Sequence, residues 1–334
     1  MKDVSNYNSV IAFLRLPLTL LVVFIHVPYT SMGGDVDYIH EFWIDGICSI
    51  AVPAFFFISG YLFCPVKFSW QVYGEKLKRR INTLLIPYIA WNLIALLVLI
   101  IPYYHDFNYS VANVLAVFVD CKYSFLHATS SSPIDYPLWY IRDLIVCCVL
   151  SPMFYAAGKL KGLIPAISLI LWICEISLPI GGISAIAICF FTLGGCVRIY
   201  GLPFKNRPNS WLISIVLILC IYLATGLNLV FHCAVMPVIV LSLFPLGKWI
   251  LAKSKWDKFS KYGNFAFVLY ASHAIFIKKI WNQFMAIGLH QSVVYWATYI
   301  LMIVVGIMLY YFIQRNVTIS SILIGKRINQ DVPK

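Results

Sequence analysis

The stretch VIAFLRLPLTLLVVFIHVPYT, Val10–Thr30, decides the fold. It is apolar over the length a bilayer-spanning helix needs, about 20 residues. It nevertheless carries Arg15 and His26, side chains that hydrocarbon tolerates poorly. The rest of the chain has the same character. Of 334 residues, 61% are hydrophobic and only 11% charged, and mean hydropathy is +0.85. Soluble domains carry about 25% charged residues, so this chain cannot cover a water-facing surface. That composition excludes a disordered chain, a collagen-like fibre and a disulfide-stapled secreted domain. The apolar runs are long and unbroken, unlike the alternating segments of about ten residues in a membrane β-barrel. An all-α fold follows: a polytopic membrane helical bundle.

Working outward from that first run gives about ten transmembrane helices, at 10–30, 42–64, 83–102, 137–157, 162–179, 182–199, 210–227, 229–251, 262–281 and 292–313. Only Pro179–Gly182 separates the fifth from the sixth, which implies a tight helical hairpin. The apolar piece 111–119 is too short to span. No signal-peptide cleavage pattern precedes the first run, so it is expected in the mature protein. The chain reads as a single integral-membrane domain over 1–334. Nine of the ten cysteines lie within or at the ends of apolar runs, where thiols act as small hydrophobes. No Cys-x-x-Cys pair or zinc spacing occurs, so no metal site is expected.

Basic residues in short loops mark the cytoplasmic side. With both termini cytoplasmic, most of the 25 Lys+Arg fall inside, including Lys76, Lys78, Arg79 and Arg80. The acidic residues Asp35, Asp37, Glu41, Asp106, Asp120 and Asp135 fall outside. This asymmetry accounts for the net charge of +12 without nucleic acid.

Arg15 and Arg142 are left within spans. Burying a charge in hydrocarbon costs at least about 2.5–3.5 kcal/mol, which makes each a functional candidate. Eleven positions separate Arg15 from His26, so on one helix they share a face to within about 20°, about 16 Å apart along the axis. One face thus presents an anion ligand toward the inner side and a titratable base toward the outer side. Arg15 snorkelling to inner headgroups is the bland alternative. Asp45, near the outer end of the second span, is placed to hold the His26 imidazole in one tautomer. Other polar groups within spans include Ser59, Tyr61, Asn92, Asp143, Glu175, Asn228, Ser272 and His273. Arg142 and Asp143 are adjacent, so they should point to different helix faces and need partners on other helices. His273 is a second possible base or substrate donor. The outer segment 103–136, with His105, His127 and Ser130–Ser132, reads as a lid or substrate loop. The cluster Lys76-Leu77-Lys78-Arg79-Arg80 forms a dense inner loop suited to a polyphosphorylated ligand. No glycine-rich phosphate loop accompanies it.

Together these residues resemble the acyltransferase-3 family of membrane-bound bacterial polysaccharide O-acyltransferases. The resemblance covers nearly the whole chain. Arg15 with His26 after ten residues carries it, together with VPAFFFISGYLF (Val52–Phe63). LLIPYIAWN (Leu84–Asn92), PLWYIRDLIV (Pro137–Val146) and YASHAIF (Tyr270–Phe276) add to it. The family often shows two arginines separated by two residues in the inner loop. Here Thr83 follows Arg80 at that spacing, and Lys76 with Arg79 keeps it in relaxed form. No appended extracytoplasmic esterase-like domain is expected.

The resemblance implies transfer of an acyl group, usually acetyl, from cytoplasmic acyl-CoA to a hydroxyl of an envelope or exported glycan, in the bacterial inner membrane. Acyl-CoA is then a co-substrate, and no permanently bound cofactor is expected. Lys76, Lys78, Arg79 and Arg80 would hold its phosphates and Arg15 would steady the donor. His26, oriented by Asp45, would be the general base. Arg142, Ser272, His273, Trp139, Tyr61 and Ser59 would contact substrate or developing charge. An acyl-cysteine at Cys48 has no evident base beside it. The main alternative is a transporter or flippase for a glycan or small anion, with Arg15, His26 and Arg142 lining a pathway. No internal repeat of the kind common in transporters is visible. A non-catalytic scaffold would give the Arg15/His26 pair no purpose.

Overall fold

A computed structural model describes residues 2–32, 34–100, 110–119, 132–176, 183–201, 229–253 and 262–325. The expected span 210–227, the hairpin at Pro179–Gly182, and His105 and His127 lie outside them. Thirteen α-helices follow one another among the described residues, and no strand occurs there. They are α1 (Lys2–Ile25), α2 (Gly34–Glu41), α3 (Ala51–Phe63), α4 (Trp70–Arg80), α5 (Ile86–Ala95), α6 (Val111–Val119) and α7 (Trp139–Ala156). Then come α8 (Leu163–Ile173), α9 (Ala185–Tyr200), α10 (Leu229–Lys253), α11 (Gly263–Ala286), α12 (Gln291–Gln314) and α13 (Val317–Leu323).

Among the described residues, six helical runs are long and apolar enough to cross a membrane: Asn8–Ile25, Val36–Phe63, Trp70–Leu99, Tyr136–Ala156, His232–Ala252 and Gln291–Gln314. In α12 the exposed side chains include Trp296, Ile300, Met308 and Phe312. A water-facing helix would put polar residues there, so these suit lipid as the solvent.

Two runs depart from the sequence expectation. The basic cluster is not a loop: Lys76 to Arg80 form the end of α4, which continues through a π turn (Ile81–Leu85) into α5. Pro87 explains the wider turn. It has no N–H to bond the Thr83 carbonyl, so the helix loosens one turn before it. The second expected span likewise starts earlier, with helical structure from Gly34 passing through a π turn (Phe42–Ile47) and a 3₁₀ turn (Cys48–Ile50) into α3. Among its described residues the fifth expected span holds the short helix α8, eleven residues, and α9 has sixteen.

Contacts divide the chain into two compact units. The first comprises Met1–Ile25, Ser31–Val72 and Val146–Ala266. Within it α3 packs on α9 through small residues, as membrane helices do when backbones must approach closely. Gly60 lies against the Phe191 backbone, and a Cβ on Gly194 would fall 2.8 Å from the Tyr61 nitrogen. Phe56 and Phe57 on α3 and Phe190 and Phe191 on α9 are all buried. Helix α1 meets α10 at Gly247, where a Cβ would lie 2.7 Å from Val10 Cγ1.

The second unit comprises His26–Thr30, Tyr73–Ile145 and Phe267–Lys334. Its part of α11 meets α12 at Gly306, which leaves room for Leu269. Helix α13, capped by Asn316 Oδ1 on the Thr318 and Ile319 amides, packs beside α5. The Trp91 indole donates to the Leu323 carbonyl at 3.0 Å. Gly325 follows at φ +80°, and a Cβ there would sit 2.7 Å from the Asn82 oxygen. The C-terminal segment thus buttresses the π turn that follows the basic cluster.

Candidate active site

Helix α1 stops at Ile25, one residue before His26. Pro28 accounts for the stop, because it disfavours helical geometry at Val27 and offers no donor itself. His26 is therefore a post-helical residue grouped with the second unit, whereas Arg15 belongs to the first. Their shared face is a helical extrapolation that runs one residue past the helix.

Within the second unit His26 meets two rings. His273 of α11 stacks on it, with centroids 5.1 Å apart and planes 13° apart. Tyr136 stands edge-on at 5.0 Å and 86°. The three grade from outside to inside: Tyr136 is 39% exposed, His26 is half-buried and His273 is fully buried. A near-parallel stack rules out an in-plane N–H···N bond between the imidazoles. Each must find its hydrogen-bond partners elsewhere.

For His273 one partner is its own helix. Nδ1 lies 2.5 Å from the Tyr270 carbonyl oxygen. A carbonyl only accepts, so Nδ1 carries the hydrogen and Nε2 presents a lone pair. That Nε2 is buried and has no hydrogen-bond partner. The backbone has in effect set the tautomer and left an unpaired ring nitrogen on the histidine stacked with His26.

Tyr136 is positioned with unusual redundancy. It lies in Ser132–Leu138, between Pro133 and Pro137, whose rings restrict the backbone. The Ile134 amide donates to the Val117 carbonyl of α6 at 2.8 Å. The Asp135 amide donates to Asn92 Oδ1 of α5 at 3.3 Å, and Asn92 Nδ2 in turn donates to the Tyr88 carbonyl at 2.8 Å. The Tyr270 hydroxyl of α11 donates to the Pro137 carbonyl. Three helices therefore hold the segment that presents one exposed ring to His26.

Several polar atoms of the second unit are buried without hydrogen-bond partners: both Asp135 carboxyl oxygens, Ser272 Oγ on α11 and Thr298 Oγ1 on α12. Unsatisfied buried groups are rare because each costs about 1–3 kcal/mol. Desolvation pushes the Asp135 carboxyl well above the usual carboxylate range, so it favours the neutral acid.

The other candidates fall as follows. Arg142 and Asp143 do pair, contrary to the expectation from their adjacency. Arg142 Nη2 and Nε lie 2.9 and 3.1 Å from Asp143 Oδ1, and Nη1 donates to the Val119 carbonyl of α6 at 2.7 Å. The long arginine side chain curls back along its own helix, which the one-residue spacing alone does not forbid. All three guanidinium nitrogens are thus engaged within the protein. Asp45 is exposed, in the π turn of the first unit, where its carboxylate acts on His40 and His232. The rings against His26 belong to His273 and Tyr136. Arg15 lies near Gly263, where a Cβ would be 3.4 Å from its Nη1. Tyr61 lies beneath Arg198, whose Cζ is 5.2 Å from the ring centre, and Ser59 sits two residues before it on α3. Trp139, half-buried, opens α7. On α4, Lys78 and Arg79 are exposed and Lys76 and Arg80 half-buried, with Lys78, Arg79 and Arg80 in the helix's last turn.

Sequence reading passed over Tyr136, Asp135 as a buried group, and Arg198. For the first two a signal existed: an acidic residue and a tyrosine between two prolines, just ahead of an apolar run. Arg198 offers the sequence only a basic charge near the end of an apolar run.

A polytopic helical membrane protein, with two stacked imidazoles beside an anchored tyrosine, is the class that fold and site define. The chain belongs to the acyltransferase-3 family: the family model, described as an acyltransferase domain, matches residues 9–312. Over 157 residues it is 26% identical to the succinoglycan biosynthesis protein ExoH of Rhizobium meliloti (strain 1021). That match covers 45% of this chain and 42% of that protein, so the chain aligns with less than half of its relative. No solved structure matches.

Proposed function

We propose that this membrane acyltransferase moves an acyl group, most simply acetyl, from cytoplasmic acyl-CoA to a hydroxyl of an envelope or exported glycan, in the bacterial inner membrane. The observation that carries this reading is the His26–His273 stack, a base pair of rings with one exposed aromatic neighbour. The relative's part in succinoglycan biosynthesis supports a polysaccharide as acceptor.

In this reading His26 takes the proton of the acceptor hydroxyl as its oxygen attacks the thioester carbonyl carbon. The tetrahedral intermediate collapses with cleavage of the C–S bond. The CoA thiolate leaves and takes the proton from the imidazolium, so the products are an ester and CoA-SH. His273 backs the His26 ring, and stacking engages the face of that ring rather than its in-plane nitrogens. Lys76, Lys78, Arg79 and Arg80 hold the phosphates of the donor, suited by charge and by exposure at a helix end. Arg15 keeps the role of a donor contact.

The test is thioester consumption by the purified full chain with acetyl-CoA and a glycan acceptor. Acceptor-dependent turnover is expected, falling about 10²–10⁴-fold in His26→Ala, the usual weight of a general base. Full turnover in that variant would remove His26 from the chemistry. No thioester consumption by the unaltered protein would favour the transporter reading.

A further inference from the structure

We propose that Tyr136 is the residue on which the acceptor sugar is laid, its ring carrying the C–H face of a pyranose so that a hydroxyl of that sugar meets His26. The inference deepens the O-acyltransferase reading and rests on it.

The geometry points there for three reasons. First, access: His273 closes one face of the His26 ring and is itself fully buried. Tyr136, perpendicular to His26 and 39% exposed, is the identified neighbour that outside molecules can touch. Second, chemistry: the face of an aromatic ring is electron-rich, and the axial C–H bonds of a pyranose present weakly positive hydrogens with little desolvation cost. Such a platform fixes a sugar's plane while its hydroxyl rim stays free to react. Third, rigidity: hydrogen bonds from α5, α6 and α11 hold the backbone on both sides of Tyr136. Placing a hydroxyl within bonding distance of a base needs such pre-organisation, because small misplacements lose much of the rate.

An interfacial tyrosine can also serve only to anchor a helix at the headgroup level. That role asks for an amphipathic ring at the right depth, not for ties to three helices, and it has no bearing on acceptor affinity. The two accounts therefore separate in kinetics.

The full-length protein in lipid nanodiscs is assayed with acetyl-CoA as donor. The acceptor probe is the producing cell's own exopolysaccharide, stripped of ester groups by mild alkali. Tyr136→Leu is expected to raise the KM for this acceptor about five- to tenfold, the weight of one good aromatic contact. The KM for acetyl-CoA should stay within about twofold. Tyr136→Phe and Tyr136→Trp, which keep a ring, should restore the acceptor KM to within about twofold of the unaltered protein. If Tyr136→Leu does not fold, Tyr136→Met supplies the same ringless comparison. An unchanged acceptor KM in the ringless variants overturns the proposal, as does an equal rise in both KM values or a Phe variant as weak as Leu. His26→Gln is run in parallel. If it transfers normally, or if the unaltered protein does not acylate the stripped polysaccharide, the underlying reading fails. If it is inactive while Tyr136→Leu binds acceptor normally, only the platform fails.

Discussion

Arg142 and Asp143 show how much one side chain's reach changes a reading. Adjacent residues on a helix diverge by about 100°, yet the guanidinium folds back to the neighbouring carboxylate and uses its remaining nitrogen on the Val119 carbonyl. Both are buried, and breaking a buried pair leaves an uncompensated charge, at a cost of about 3–5 kcal/mol. Asp143→Ala should therefore lower the thermal unfolding temperature sharply in detergent. Replacing both partners by apolar residues of similar volume should cost much less. Equal losses in the single and double variants would contradict the pairing. At this scale the sequence made the exceptional residues plain, since charges and imidazoles in apolar runs stand out. It could not say which groups would meet. The ring stacked on His26 comes from His273, 247 positions further along the chain.

Among the elements, α3 and α9 depend on absent side chains. A Cβ on Gly60 would run into the Phe191 backbone, and a backbone cannot yield as a flexible side-chain end can. Gly74, in α4, has nothing within 4 Å of its Cβ position. Gly60→Ala should therefore destabilise the first unit. Gly74→Ala should be neutral or stabilising, by up to about 1 kcal/mol from helix propensity alone. Thermal unfolding of the two variants side by side checks this, and the opposite ranking would refute the packing argument. Helix existence was legible from the apolar runs, because every backbone group in a bilayer must be satisfied internally. Helix ends were less so. The cluster Lys76–Arg80 reads as a loop by charge, yet it forms helical turns, and lysine and arginine are good helix formers that also suit a helix's C-terminal end. The π turns left no periodicity signal, since each occupies only five or six residues.

For the molecule as a whole, charge is the property that acts over distance. The exposed Lys78 and Arg79 should draw a polyanionic donor electrostatically, an effect that salt screens over about 8–10 Å at physiological strength and about 3 Å at 1 M. The double variant Lys78→Ala/Arg79→Ala is expected to raise the KM for acetyl-CoA several-fold at low salt. The gap should close as salt approaches 1 M, with the acceptor KM unmoved. A salt-independent gap would argue against phosphate contacts at α4.

What the chain's own order of residues determined is its class: with 61% hydrophobic and 11% charged residues, helices in lipid are the physically available solution, and composition needs no contacts to be read. The family, too, was visible in local motifs, above all Arg15 and His26. The tertiary structure alone decided which rings surround His26, that the Asp135 carboxyl is buried, and that Tyr136 stands exposed on a tethered segment. Those facts depend on packing between helices whose members lie far apart along the chain, and periodicity within one helix carries no information about its neighbours.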